Sequence, residues 1–211
     1  MTNYSHETAP TQFVEAGGVR FAYRRFGKPG TVPLLFLGYF NSNMDCWDPA
    51  VTNSLAADHE VILFDNAGVA ASRGETPNLV VEMTPHCVAF CRKEDRDLPV
   101  SRNSAVAQLA AIREWGIIPV TDRYAALKNI THPTLIVHGN KDIVVRPINA
   151  LILVEHLPNA QLIVYSDSSH GAQYQHGKMF LEHVKLFLSD GDSPVAALDP
   201  IPIESSVCLG N

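Results

Sequence analysis

No stretch of this 211-residue sequence stays apolar for long enough to cross a bilayer. The longest such run, V-P-L-L-F-L-G-Y-F from Val32 to Phe40, falls well short of the roughly 20 residues a membrane helix needs. Basic residues are also in short supply. Sixteen Lys and Arg against 22 Asp and Glu leave a net charge of −6, with no basic stripe interleaved with aromatics. A chain of that sign repels a phosphate backbone, so no nucleic-acid partner is expected. The four cysteines (Cys46, Cys87, Cys91, Cys208) have no framework spacing. Cys87 and Cys91 lie four apart on an expected helix, which reads as packing rather than metal binding. Reduced thiols in a cytoplasmic protein follow. Cys208 precedes Leu209-Gly210-Asn211, a poor fit to a prenylation signal, and no polybasic stretch leads up to it. The opening M-T-N-Y-S-H-E-T-A-P has no basic region followed by an apolar one, so a secretory signal is not expected. Neither G-x-G-x-x-G nor a P-loop occurs. His86, His132, His138, His156, His176 and His183 lack ligand spacing. Neither metal nor other cofactor is expected.

What is present is an ordinary globular composition, 46% hydrophobic and 18% charged, in a length that suits one domain with its own core. That domain is expected over residues 1–188. A flexible tail at 189–211 follows, with three prolines and no periodicity. Residues 1 to 11 read as a loose arm. From Gln12 to Gly27, apolar and polar residues alternate around Gly17-Gly18, the pattern of a tight hairpin. The run Val32–Gly38 suits an interior parallel strand, and His59–Asp65 another. Helices are expected over Pro49–Asp58, from Thr84-Pro85, over Ser104–Trp115, around Ile148–Leu157 and over Gly177–Leu188. The six consecutive charges of Arg92–Asp97 read as a solvated face or loop. Strands alternating with helices argue for a parallel α/β sheet entered through an N-terminal hairpin.

Two short motifs lie at strand ends, where α/β proteins place chemistry. Asp142 closes P-T-L-I-V-H-G-N-K-D, and His170 closes L-I-V-Y-S-D-S-S-H. With V-I-L-F-D-N-A-G-V-A-A-S-R-G (Val61–Gly74), these motifs resemble the α/β-hydrolase family in order and spacing. G-N-K-D is similar to that family's acid turn, S-S-H-G to its histidine loop, and the third stretch to its D-x-x-G-x-G-x-S turn, with Ala70 where glycine is common. The resemblance covers Gln12 to about Cys91 and about Arg92 to Leu188. It implies Asp142 as the acid that orients an imidazole, His170 as general base, and Gly38-Tyr39 as the site of one oxyanion-hole N–H. Tyr39 and Phe40 read equally well as pocket-wall aromatics.

No nucleophile can be identified. The family's G-x-S-x-G elbow, on a strand-to-helix turn, has no counterpart, as if a central segment were missing near Cys91-Arg92. Ala70-Ala71-Ser72-Arg73-Gly74 imitates an elbow, but Ser72 lies seven residues beyond Asp65 with no helix after it. The family resemblance implies that it is the turn serine, whose role is structural. The expected fold is thus a shrunken, mostly parallel α/β-hydrolase-like sheet of about six strands. In it, the strands ending at Gly38 and Gly139 must pair directly or leave apolar edges exposed, which favours self-association. The expected function is hydrolysis of a small ester, lactone or related acyl substrate by a Ser-His-Asp mechanism whose nucleophile segment this chain lacks. The alternative is a catalytically inactive remnant or an interaction module.

Overall fold

The computed structural model describes residues 4–74, 100–116 and 124–190. β1 (Gln12–Ala16) and β2 (Val19–Gly27) form the expected hairpin. Gly17 and Gly18 both sit at positive φ, +57° and +78°, as a two-residue type I′ turn demands. β2 pairs antiparallel with β4 (Glu60–Phe64), and β4 pairs parallel with β3 (Leu34–Phe36), giving the order β1-β2-β4-β3. Between β3 and β4 runs α1 (Pro49–Ala56). Its start is set by Asp48, whose carboxylate accepts the Ala50 N–H at 2.8 Å, and by proline at the first position. At the end of β2, Gly27 has φ +93°, and a Cβ there would lie 2.4 Å from the His59 carbonyl oxygen. Only glycine lets this strand end meet the chain that leaves α1.

This half carries the main core: Ala22, Phe26, Met44, Val51, Leu55, Val61 and Leu63 are all buried. Beside it, Arg24 and Asp45 form a buried ion pair at 2.5 Å. Residues 4–11 are not the loose arm expected. His6 is buried, its Nδ1 lying 2.9 Å from Thr52 Oγ1, while its backbone N–H donates to Asn53 Oδ1 at 2.8 Å. Both partners stand on α1, so the arm is tethered by polar groups that only the folded helix presents. Burial, reinforced by the Arg24 charge, pulls the His6 pKa below its ordinary value.

α2 (Arg102–Gly116) opens at Ser101, whose Oγ accepts the Ser104 N–H at 3.1 Å. Ser104 Oγ donates to the Gly68 carbonyl, and Gln108 Oε1 accepts the Asn41 N–H at 2.7 Å. α2 therefore lies over the loops that follow β3 and β4. The C-terminal half is a parallel pair, β5 (Thr134–Gly139) and β6 (Ala160–Tyr165), joined through α3 (Ile148–His156). Two helices follow, α4 (Ala172–Gln175) and α5 (Gly177–Asp190).

Among the described residues six strands form two sheets, and two of their four pairings are antiparallel. Among the described residues no pairing joins β3 to β5, so the exposed-edge alternative holds. A continuous apolar run reports burial without reporting a neighbour, and β3 shows the difference: Leu35 is 57% exposed and Leu37, just beyond the strand, 67%. An apolar cleft of about 520 Å³ separates the halves, bounded by Leu35 and Leu37, by Leu135 and Val137 of β5, and by Val184 and Phe187 of α5. α5 spans the division. Phe180, Leu181, Val184 and Leu188 pack on the N-terminal core, and Lys185 Nζ reaches Asp58 at 2.9 Å. The expected helix from Thr84, the charged run Arg92–Asp97, the Cys91-Arg92 junction, Cys87, Cys208 and the expected tail beyond 190 lie outside the described residues. No described helix is long and apolar enough to cross a membrane.

Candidate acid–base site

Asp142 leaves β5 in a turn of its own making. Its Oδ1 accepts the N–H groups of Val144 at 2.8 Å and Val145 at 2.9 Å, a short-range arrangement to which aspartate is suited. Oδ2 is thereby aimed at His170, whose Nδ1 lies 2.9 Å away. Asp142 is buried, its side chain 4% exposed, whereas that of His170 is 58% exposed. Burial alone would raise the Asp142 pKa. The hydrogen bonds from His170 and from the Val145 and Val144 N–H groups outweigh it and hold the carboxylate below its usual range. An ionised carboxylate can only accept, so the Nδ1–H of His170 donates. In the neutral imidazole, Nε2 then carries the free lone pair.

The loops that carry these two side chains are locked together by backbone. Asn140 N–H donates to the Tyr165 carbonyl at 2.9 Å, and Lys141 N–H to the Ser168 carbonyl at 2.8 Å. Gly139 makes this possible, because a Cβ there would lie 2.2 Å from the Ser169 carbonyl oxygen. His138, which sequence reasoning set aside, stands beside the acid. Its Nε2–H donates to the Val145 carbonyl at 2.9 Å and lies 3.6 Å from Asp142 Oδ2. Spacing offered no signal, since a strand residue and an acid four positions on become neighbours only when the chain turns back after the strand.

Ser72 is buried away from any such chemistry. Its Oγ–H donates to the Asp65 carbonyl at 2.8 Å, and its oxygen accepts the Ala22 N–H at 2.8 Å. Both functions of the hydroxyl hold the β4 turn against β2. In the same turn Ala70 adopts φ +46°, the left-handed region that glycine tolerates best. Gly38 and Tyr39 lie in the loop after β3. The Tyr39 carbonyl accepts from Ser42 N–H at 3.2 Å and Ser42 Oγ–H at 2.7 Å. The Tyr39 ring meets Trp47 edge to face at 5.8 Å, and its hydroxyl donates to the Cys46 carbonyl at 3.3 Å. Tyr174, four residues beyond His170, donates to that same carbonyl at 3.5 Å. The histidine loop and the β3 loop therefore converge at Cys46. Among the described residues no group of three or more His, Cys, Asp or Glu side chains could hold a metal ion.

A profile described as the alpha/beta hydrolase fold matches residues 101–177, the stretch that holds both Asp142 and His170. The chain is 25% identical over 139 residues to a 2-hydroxymuconate semialdehyde hydrolase of Pseudomonas putida, an alignment covering 60% of this chain and 50% of that enzyme. It is 37% identical over 70 residues to the 2-hydroxy-6-oxononadienedioate/2-hydroxy-6-oxononatrienedioate hydrolase of Cupriavidus pinatubonensis, covering 33% of this chain and 24% of that one. The chain thus spans half or less of the length of these relatives. An alpha/beta hydrolase fold protein from Chitinophaga pinensis superposes with a TM-score of 0.77 and 26% identity, over 90% of this chain and 100% of that one. In topology, in motif order and in sequence profile over residues 101–177, this chain has an α/β-hydrolase-like fold.

Proposed function

We propose that this chain carries the acid–base half of a hydrolase site for small acyl substrates and that, by itself, it is silent in serine-dependent hydrolysis. One observation carries the reading: Asp142 is clamped by two backbone N–H groups and hydrogen-bonded at 2.9 Å to His170, while the hydroxyl of Ser72 is committed in both directions to backbone. In this role His170 is the general base, Asp142 orients it and stabilises its protonated form, and the backbone at Gly38-Tyr39 supplies half of an oxyanion hole. Without a nucleophile, and with one oxyanion donor of the two, several orders of magnitude in rate are forfeited. Esters and lactones are the broad substrate class. The relatives named for 2-hydroxymuconate semialdehyde make that compound the first to try.

The test is incubation with a fluorophosphonate probe and, separately, with 2-hydroxymuconate semialdehyde and a p-nitrophenyl ester, comparing the chain with its His170→Ala and Ser72→Ala variants. The expected result is no labelling and no turnover above that of His170→Ala. Labelling that disappears in Ser72→Ala would overturn it. An interaction module is the second reading, favoured by the apolar cleft and by the exposure of Leu35 and Leu37 beside it.

A further inference from the structure

The histidine loop is held from one more direction. α4 begins immediately after Gly171 and lasts a single turn, with the N–H groups of Tyr174 and Gln175 both donating to the Gly171 carbonyl at 2.9 Å. That turn folds Gln175 back over the residues that precede His170. Its side-chain oxygen then accepts three hydrogen bonds, from Ser168 Oγ–H at 2.7 Å, from Ser169 N–H at 2.8 Å and from Ser169 Oγ–H at 3.2 Å. Ser168 is fully buried, and its own carbonyl is the acceptor for Lys141 N–H in the acid loop. One amide oxygen thus secures the two residues before His170, one of which is bonded to the turn that carries Asp142.

We propose that Gln175 is the positioning residue that holds His170 in register with Asp142. The claim rests on reading Asp142 and His170 as an acid–base pair. Asp167 and His176 offer another brace across the same loop at 2.9 Å, but Asp167 is 67% exposed, and an exposed pair is screened by water and salt. An uncharged amide also suits the position better than a carboxylate does. It gathers three donors without placing a second negative charge in the loop that carries His170.

The experiment is nitrogen-15 NMR of the full chain labelled at histidine, reading the tautomer of His170 and the bonded Nδ1 proton. In the native chain the Nδ1-protonated form should dominate, and Asp142→Asn should abolish that preference. Gln175→Ala and Gln175→Met should both bring the two tautomers near parity, the second retaining side-chain bulk without the acceptor. Gln175→Glu, which keeps an acceptor oxygen, should retain the Nδ1-protonated preference of His170. Thr52→Ala, which disturbs the buried contact to His6 on the other half, should leave His170 unchanged and so exclude general loosening. An unaltered His170 spectrum in both Gln175→Ala and Gln175→Met would overturn the positioning role while leaving the acid–base pair intact. A native spectrum with no tautomer preference, unaffected by Asp142→Asn, would overturn the pair and the positioning role with it.

Discussion

From β1 to β4 the chain buries Ala22, Phe26, Met44, Val51, Leu55, Val61 and Leu63, whereas β5, β6 and the turn after β5 bury few large side chains and leave Ile143, Val144 and Val164 exposed. The first half is held by packing. The second holds the Asp142–His170 pair, and it does so largely with hydrogen bonds between loops: Asn140 to Tyr165, Lys141 to Ser168, and Ser168 and Ser169 to Gln175. A two-stranded unit is marginal in water unless something covers it. Here α5 lies against it while packing on the opposite core, and so joins the two halves. Geometry at the site therefore depends on a few polar contacts, and persistence of the fold depends on a core elsewhere.

The comparison breaks most readily at Leu63, which is fully buried. Leu63→Ala should cost about 2–5 kcal/mol by thermal or urea denaturation, and Leu135→Ala in half-buried β5 less than half as much. Equal losses would show that the two halves share one core. Ser72→Ala comes next, at roughly 1–3 kcal/mol, because it strands the buried Ala22 N–H and the Asp65 carbonyl. The same variant should leave the His170 tautomer untouched. The third effect depends on pH. Asp142 has its pKa lowered in the folded chain, so its contribution to stability is complete above the ordinary carboxylate value of about 3.9 and is lost as pH falls through the folded value. The stability gap between the native chain and Asp142→Asn, followed by denaturation at successively lower pH, should narrow as pH falls through that window. The smallest change to the fold itself concerns the edge of β3. The native chain should self-associate in light scattering after size exclusion, and Leu35→Lys should shift it toward monomer. A tight native monomer would count against an open edge.

Local chemistry was legible wherever backbone demands were local. Gly17-Gly18 announced a hairpin because both turn positions need positive φ, and the meeting of Asp142 with His170 could be anticipated because each closely follows an apolar strand. His6 was not legible, since its burial depends on Thr52 and Asn53 arriving from a helix more than forty residues away. Gln175 was equally silent. A glutamine after a loop looks like any surface residue until a single helical turn brings it back over Ser168. The sheet division escaped for a different reason: hydrophobicity in Val32–Gly38 records that a strand wants cover, not whether a neighbour is there.

The contact at Gly139 has a consequence for how such a chain can change over time. Because the acid and histidine loops touch backbone to backbone and share the Gln175 brace, the pair takes its alignment from contacts within the β5–β6 half rather than from an attacking group. On the proposed acid–base reading, gain or loss of an attacking group leaves the Asp142–His170 alignment in place. A laboratory can use the same independence, grafting a nucleophile opposite a carboxylate and imidazole that are already aligned.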